Sequence, residues 1–478
     1  MLKRHIFIRV GSIIFLAFFL SATMLRAETV LNKYVEEGLK KNLSLKEKEF
    51  DFEKSMVALA KAKGKFYPCV TFDSIFMRIQ GGTLSEYPQG YLSSGQEEII
   101  RKIFERGDIP VKMEDGYISL AERDFQRTRI RVAQPLYRPE ILYNYRIKGA
   151  LKDVKEIQVH VYRGKLSAEI KKAYYRYLMA EKAVSIYDQM MSMLEENLRV
   201  SSSMFRRGVK TEEVIFRAKA EISNVEQKKA KAEKDRDLSS AYFNFLLDRP
   251  LQTPIEIMSG LALKPMEDLC TKDILRNALK NRKEIAAIKG SIAATDSLLE
   301  LHRARYRPTL TAVFDYGCAG DKYKFTDDYD YRAGSVVLQW NLFNGFQDRS
   351  EARMAQIEKR KLETKFRELK NHIRLQLKEA IRSVEVSQKT ITSARERLAS
   401  SKESFKIVSK KYEYGMAPQI EILNAQAELT RAEINLLIAR YEYLVQLAEL
   451  EYVAGKPPPH SERPGMARGP SQKERHDN

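Results

Sequence analysis

Cysteine is nearly missing from this 478-residue chain: Cys69, Cys270 and Cys318 stand far apart. An odd, scattered set excludes a disulfide framework and leaves room for one bridge at most. The six histidines are dispersed as well, with His5 near the start, His460 and His476 near the end, and His160, His302 and His372 alone. No metal-ligand spacing appears among them. There is no Gly-rich phosphate loop after a strand, no nucleophile elbow and no acid–base pair that convinces. These absences point away from an enzyme, and no cofactor is expected. Beyond Leu20 no apolar run approaches the roughly eighteen residues of a membrane-spanning helix. Tryptophan occurs once, as Trp340.

What is abundant is charge. Lys and Arg number 83 against 64 Asp and Glu, a formal net charge of +19. The two signs are interleaved along helical stretches, which describes solvated helix faces better than a nucleic-acid surface. A basic lumen, or a surface facing anionic lipid or cargo, explains the excess equally well. Hydrophobic residues make up 44% of the chain, a stock that suits long helices with narrow apolar seams.

Lys3, Arg4 and Arg9 precede the apolar run Val10 to Leu20, and SATMLRA follows, ending in Ala27. Residues 1–27 therefore read as a secretory signal peptide. At the other end, the Pro-rich and polar residues 457–478 read as a disordered tail.

The chain between is written twice. FRRGVKTEEVIFRAKAEI from Phe205 aligns with YEYGMAPQIEILNAQAEL from Tyr412, placing Gly208 on Gly415, Ile215 on Ile422, Ala218 on Ala425 and Glu221 on Glu428. GKFYPCVTF aligns with ARYRPTLTA, and AQPLYRPE with QWNLFNGF, in the same order. The first copy carries extra residues between Pro68 and Pro135, including GGTLSEYPQGYLSSGQ, which reads as a loop. Residues 28–262 form the first repeat, with strands at about 67–79 and 127–137 and a helical hairpin whose tip is near 208. Residues 263–456 form the second, with strands at about 307–317 and 332–343 and a tip near 415.

Gln347 to Tyr414 contain neither Gly nor Pro; such a helix spans roughly 100 Å. Leu377, Ala380, Val384, Ser387, Ile391, Ala394 and Leu398 recur at alternating steps of three and four, and Leu423, Ala427, Thr430, Ile434, Leu437, Tyr441, Leu444 and Ala448 do so after the turn. Heptads with this many small residues fit either a coiled-coil seam or a stave with a second interface. The strand segments alternate with period two. Thr128, Ile130 and Val132 face away from Arg127, Arg129 and Arg131, and Val336, Leu338 and Trp340 share one side. One apolar face and one polar face suit a membrane β-barrel, with the three Arg facing a water-filled lumen and Trp340 as an interface anchor. Two soluble hairpins on a core are the alternative. Four strands cannot close a barrel, and open edges are not tolerated in lipid, so several chains would have to share one barrel.

Export, duplicated halves, paired membrane-type strands and long heptad helices together resemble the TolC-like outer-membrane efflux family over about Glu28 to Lys456. FYP and RYRP, PLY and NLF, and the YxxG turns carry the likeness. The resemblance implies a mainly α fold with a membrane β-barrel portion: a homotrimer with a twelve-stranded barrel in outer-membrane lipid and a long α-helical periplasmic tunnel. It implies a passive export duct of a tripartite efflux or type I secretion system, coupled to an inner-membrane pump through a periplasmic adaptor protein. A periplasmic coiled-coil adaptor without a pore is the rival reading. By the same resemblance Tyr412, Glu421 and Asn424, with Arg206, Arg207 and Lys210 of the other tip, would line the periplasmic aperture. Gly208, Val209, Gly415 and Met416 would form the tips where the adaptor docks. Ala417 stands where a TolC aperture has a latching Arg, and Asn424 replaces an Asp. A substitute latch between the basic tip, Arg217 included, and Glu413 or Glu421 is therefore expected.

Overall fold

A computed structural model of the chain describes residues 30–78, 84–86, 98, 112–114, 117–119, 124–208, 211–257, 271–320 and 329–457. The expected signal peptide, the tail beyond 457, Cys270, Val209 and Lys210 lie outside the described residues. The elements run α1 (30–41), α2 (Leu43–Gly64), β1 (Cys69–Arg78), β2 (Leu84–Glu86), β3 (Lys112–Glu114), β4 (Tyr117–Ser119), β5 (Asp124–Tyr137), α3 (Pro139–Arg206), α4 (Glu213–Leu246), α5 (Thr271–Asn281), α6 (Lys283–Ala304), β6 (Thr309–Gly320), β7 (Asp330–Gln339), α7 (Gln347–Glu413) and α8 (Gln419–Val453). They fall into two compact units, and each unit draws on both sequence repeats.

The first unit comprises Ser55–Leu151 and Ile292–Arg360. Its center is a four-stranded antiparallel sheet in the order β1-β5-β6-β7. Period-two alternation sorts the side chains onto two faces. The register stacks Phe72 beside Ile130, Val132 beside Phe314, and Ala312 beside Val336. That apolar face is uncovered, with Phe72 70% and Leu338 65% exposed. A bulge falls between Pro135 and Tyr137, where Pro has no N–H to give to the ladder. β7 ends at Gln339 rather than near 343, because its partner β6 begins at Thr309, opposite Gln339, directly after Pro308. Within the segment read as a loop, Leu84–Glu86 instead pairs as β2 with β4, which also pairs with β3.

The second unit comprises Met1–Lys54, Lys152–Ser291 and Lys361–Asn478. Two helical hairpins, α3–α4 and α7–α8, supply most of it. Tyr34 and Val35 of α1 are buried with Ile170, Tyr174 and Phe243 of the first hairpin. Tyr34 meets Phe243 edge-on at 5.1 Å between ring centroids, a favourable aromatic geometry. In the second hairpin Leu377, Ala380, Val384 and Ile391 of α7 share a core with Leu436, Ala439 and Tyr443 of α8. Leu423 of α8 belongs to a different cluster, with Met190, Leu194 and Val225 of the first hairpin. α8 therefore buries two faces, and of the two readings of its small residues the second-interface one is realised.

Arg249 locks α1 to the end of α4. Its Nε donates to Glu37 Oε1 at 3.0 Å, its guanidinium also pairs with Glu37 Oε2, and its charge lies 4.9 Å from the Tyr34 ring centroid. The hydrogen bonds from Arg249 pull the Glu37 carboxyl from 4.5 down to about 2. A depressed carboxyl contributes stability that is complete above pH 4.5 and disappears as pH falls toward 2. Glu37→Gln should lower unfolding stability by about 1–3 kcal/mol at pH 7. Followed by circular dichroism in detergent, the gap between variant and parent should close as the pH is lowered from 4.5 to 2.

Candidate functional site

Both hairpin tips use the same local chemistry. α3 ends at Arg206 and α7 at Glu413, and each is followed by a glycine in the left-handed region, Gly208 at φ 73° and Gly415 at φ 70°. A side chain there would be strained, which explains the glycine in both copies. Gly208 N–H donates to Phe205 O at 2.8 Å. At the second tip Gly415 N–H donates to Tyr412 O at 3.0 Å and Met416 N–H to Lys411 O at 2.8 Å. The second pair is a Schellman cap that satisfies the last carbonyls of α7. Pro418 then precedes α8, preset for a helix start.

The tip residues expected to form the aperture divide by exposure. Glu421, Asn424, Arg206 and Arg207 are exposed and Tyr412 is half-buried. The apolar side chains around the turns are bare, Tyr414 being 76% and Met416 70% exposed, with Phe216 and Ile420 also exposed. Among the described residues no ion pair joins Arg206, Arg207 or Arg217 to Glu413 or Glu421 within this chain, and Lys210, the remaining cation of the expected latch, lies outside the described residues. Arg207 instead donates to Ser203 Oγ at 2.8 Å, and Arg217 to Glu213 Oε1 at 2.8 Å, both within their own hairpin. Ala417 is buried, a position that suits a small side chain better than a long cation.

A residue that sequence reasoning passed over holds the tips together. Gln419, 4% exposed, opens α8, and its Nε2 donates toward Asn197 Oδ1 (3.3 Å), Ser201 Oγ (3.1 Å) and Val214 O (3.1 Å). One amide thus ties the second hairpin to both helices of the first. Ser201 Oγ donates to Asn197 Oδ1 at 3.3 Å, so the acceptors are themselves aligned. The only sequence signal was an amide directly after the helix-starting proline.

On the sheet, Arg127, Arg129 and Arg131 share the polar face of β5, as the alternation requires. Their partners become visible only through register. Asp315 of β6 lies opposite Arg131 and accepts from its Nε and Nη2 at 2.7 Å each, a bidentate pair. Arg129 Nη1 reaches Asp315 at 3.3 Å, and its Nε lies 3.5 Å from Asp73 of β1. Gly317 sits opposite Arg129, and a Cβ there would stand 2.1 Å from Thr128 O and 2.6 Å from Arg129 Cα. Only glycine leaves room for that pairing. Trp340 is exposed beyond β7, and its Nε1–H donates to Tyr306 O at 2.9 Å. Among the described residues no His, Cys, Asp and Glu converge as metal ligands, and no helix is long and apolar enough to cross a membrane.

Comparison with known proteins adds the following. Residues 274–456 match the family model described as outer membrane efflux protein. The alkaline protease secretion protein AprF of Pseudomonas aeruginosa is 22% identical over 350 residues, covering 70% of this chain and 71% of that protein. The CmeC outer membrane channel of Campylobacter jejuni has a TM-score of 0.74 at 14% identity, over 91% of this chain and 87% of CmeC. The MtrE outer membrane channel of Neisseria gonorrhoeae, solved in its open state, has 0.70 at 16% identity, over 89% of each chain. At such identities the structural likeness establishes the fold.

The Gln419 tie yields a directional test. Gln419→Ala should loosen the docking of the hairpins by about 1–3 kcal/mol, because buried acceptors lose their donor. Gln419→Glu should be worse, since it sets a carboxylate among acceptors. Hydrogen exchange at the first turns of α8 and near Ser201 reads both, with protection falling in the order parent, Ala, Glu.

Proposed function

We infer that three copies of this chain, a TolC-like outer-membrane efflux or secretion channel protein, close one β-barrel and act as a passive export duct. The observation that carries this reading is the sheet. It presents a bare apolar face and a charged face, and its outer strands β1 and β7 each have one neighbour among the described residues. In hydrocarbon those edges must be paired by other copies. Two copies would make eight strands, a barrel whose interior side chains fill. Three copies give a wider bore with room for the Arg127, Arg129 and Arg131 face, and Trp340 then anchors the barrel at the lipid interface.

In this reading the tips are the periplasmic end. Glu421, Asn424 and Tyr412, with Arg206, Arg207 and Lys210, surround the aperture. Gly208, Val209, Gly415 and Met416 mark the tips where a periplasmic adaptor docks and links the duct to an inner-membrane pump. Bare Tyr414, Met416, Phe216 and Ile420 support a docking role, since exposed apolar clusters are where partners bind. The relative named for alkaline protease secretion supports a polypeptide cargo. An adaptor without a pore fits less well, because it has no use for a sheet with an uncovered apolar face.

Two measurements check this reading. Cys69 lies exposed on β1, so single cysteines placed in turn along β7 should cross-link to Cys69 of another copy in membranes. The covalent ladder should stop at three chains; a ladder ending at two removes the duct. In planar bilayers Glu421→Gln should raise the conductance of the purified protein if Glu421 narrows the aperture, and an unchanged conductance removes that role.

A further inference from the structure

The charges on the polar sheet face do not cancel. Three arginines, Arg127, Arg129 and Arg131, meet two carboxylates, Asp73 and Asp315. Asp315 holds Arg131 in a bidentate pair and also contacts Arg129, while Asp73 approaches Arg129. Arg127 is left over. Its cross-strand neighbours are Ile75 on β1 and Ala319 on β6, and its Nε has no hydrogen-bond partner among the described residues. It stands on β5 at the strand end remote from α3, near enough to act on the Asp315 carboxyl through space but without an ion pair of its own among the described residues.

We propose that Arg127 makes the barrel interior prefer anions, as the arginine in excess over the carboxylates on the described part of the polar sheet face. The proposal rests on the reading that the polar face lines the pore of a trimer. There, three Arg127 side chains form a ring, and rings of like fixed charge set the ion selectivity of a pore. Arg129 and Arg131 are held by carboxylates and act as a scaffold that keeps the strand face in register. The solutes favoured are small anions and acidic stretches of cargo, drawn by charge rather than by a shaped pocket.

Screening defines the test, because the Debye length is about 10 Å at 0.1 M salt and about 3 Å at 1 M. Reversal potentials are measured across a KCl gradient near 0.1 M with the full-length protein in planar bilayers. Arg127→Gln should lower the chloride-to-potassium permeability ratio by about twofold or more. Arg127→Lys should hold the parental ratio. Asp73→Asn, which removes a neutralising carboxylate, should move the ratio in the opposite direction from Arg127→Gln. All the differences should shrink in about 1 M salt. A conducting Arg127→Gln channel with the parental ratio overturns the proposal and leaves the duct standing. A parent protein that never conducts overturns the duct, and this inference with it.

Discussion

A bilayer core offers no water to a backbone N–H or C=O, so any strand placed there must find its partner in protein. In the proposed barrel, the four strands of this chain would meet that demand only with partners at both edges. Apolar residues of β1, β5, β6 and β7 are gathered onto one uncovered face, with Arg78, Asp330 and Arg332 on that side near the strand ends, while Arg127, Arg129, Arg131, Asp73 and Asp315 share the other. Arg131 and Asp315 satisfy each other across the ladder, which lets a charged face exist without free charge at every position. β1 and β7 each have a single strand neighbour among the described residues.

The helical unit solves a different problem, which is how two long hairpins stay in fixed relation over many turns. Apolar burial is distributed along them in separate clusters. Near the tips a polar contact joins the apolar burial of Ala417, Ala218, Ile422 and Leu423. Gln419 reaches three acceptors on α3 and α4, a directional interaction where a greasy one would allow sliding. Left-handed glycines let both hairpins reverse in a few residues, and the capping bonds of the second tip keep its turn defined.

Much of this was legible in the sequence because the relevant periods are local. The alternation around Arg127 to Val132 fixed which residues share a face, and the lack of Gly and Pro from Gln347 to Tyr414 announced an unbroken helix. Duplication doubled each signal. What escaped reading depends on the partner strand or helix. Asp315 is one carboxylate among many in the sequence, and only register shows that it meets Arg131. Gln419 resembles any polar residue at a helix start until the first hairpin is set beside it. Of the basic residues expected to latch onto Glu413 or Glu421, Arg207 and Arg217 have acceptors on their own helices. β7 stopped short of its apolar run because its partner β6 begins only at Thr309, opposite Gln339.

The two buried faces of α8 bear on how this chain can change over evolutionary time. A helix packed on one side keeps an outer surface on which substitutions are nearly free. α8 has Leu436, Ala439 and Tyr443 committed to one neighbour and Leu423 to another, so little of its circumference is at liberty. Enlarging Ala439 presses on α7, and enlarging Leu423 presses on the first hairpin. Drift in α8 is thereby confined to a narrow exposed strip, and any widening of its waist demands a compensating change in a partner helix.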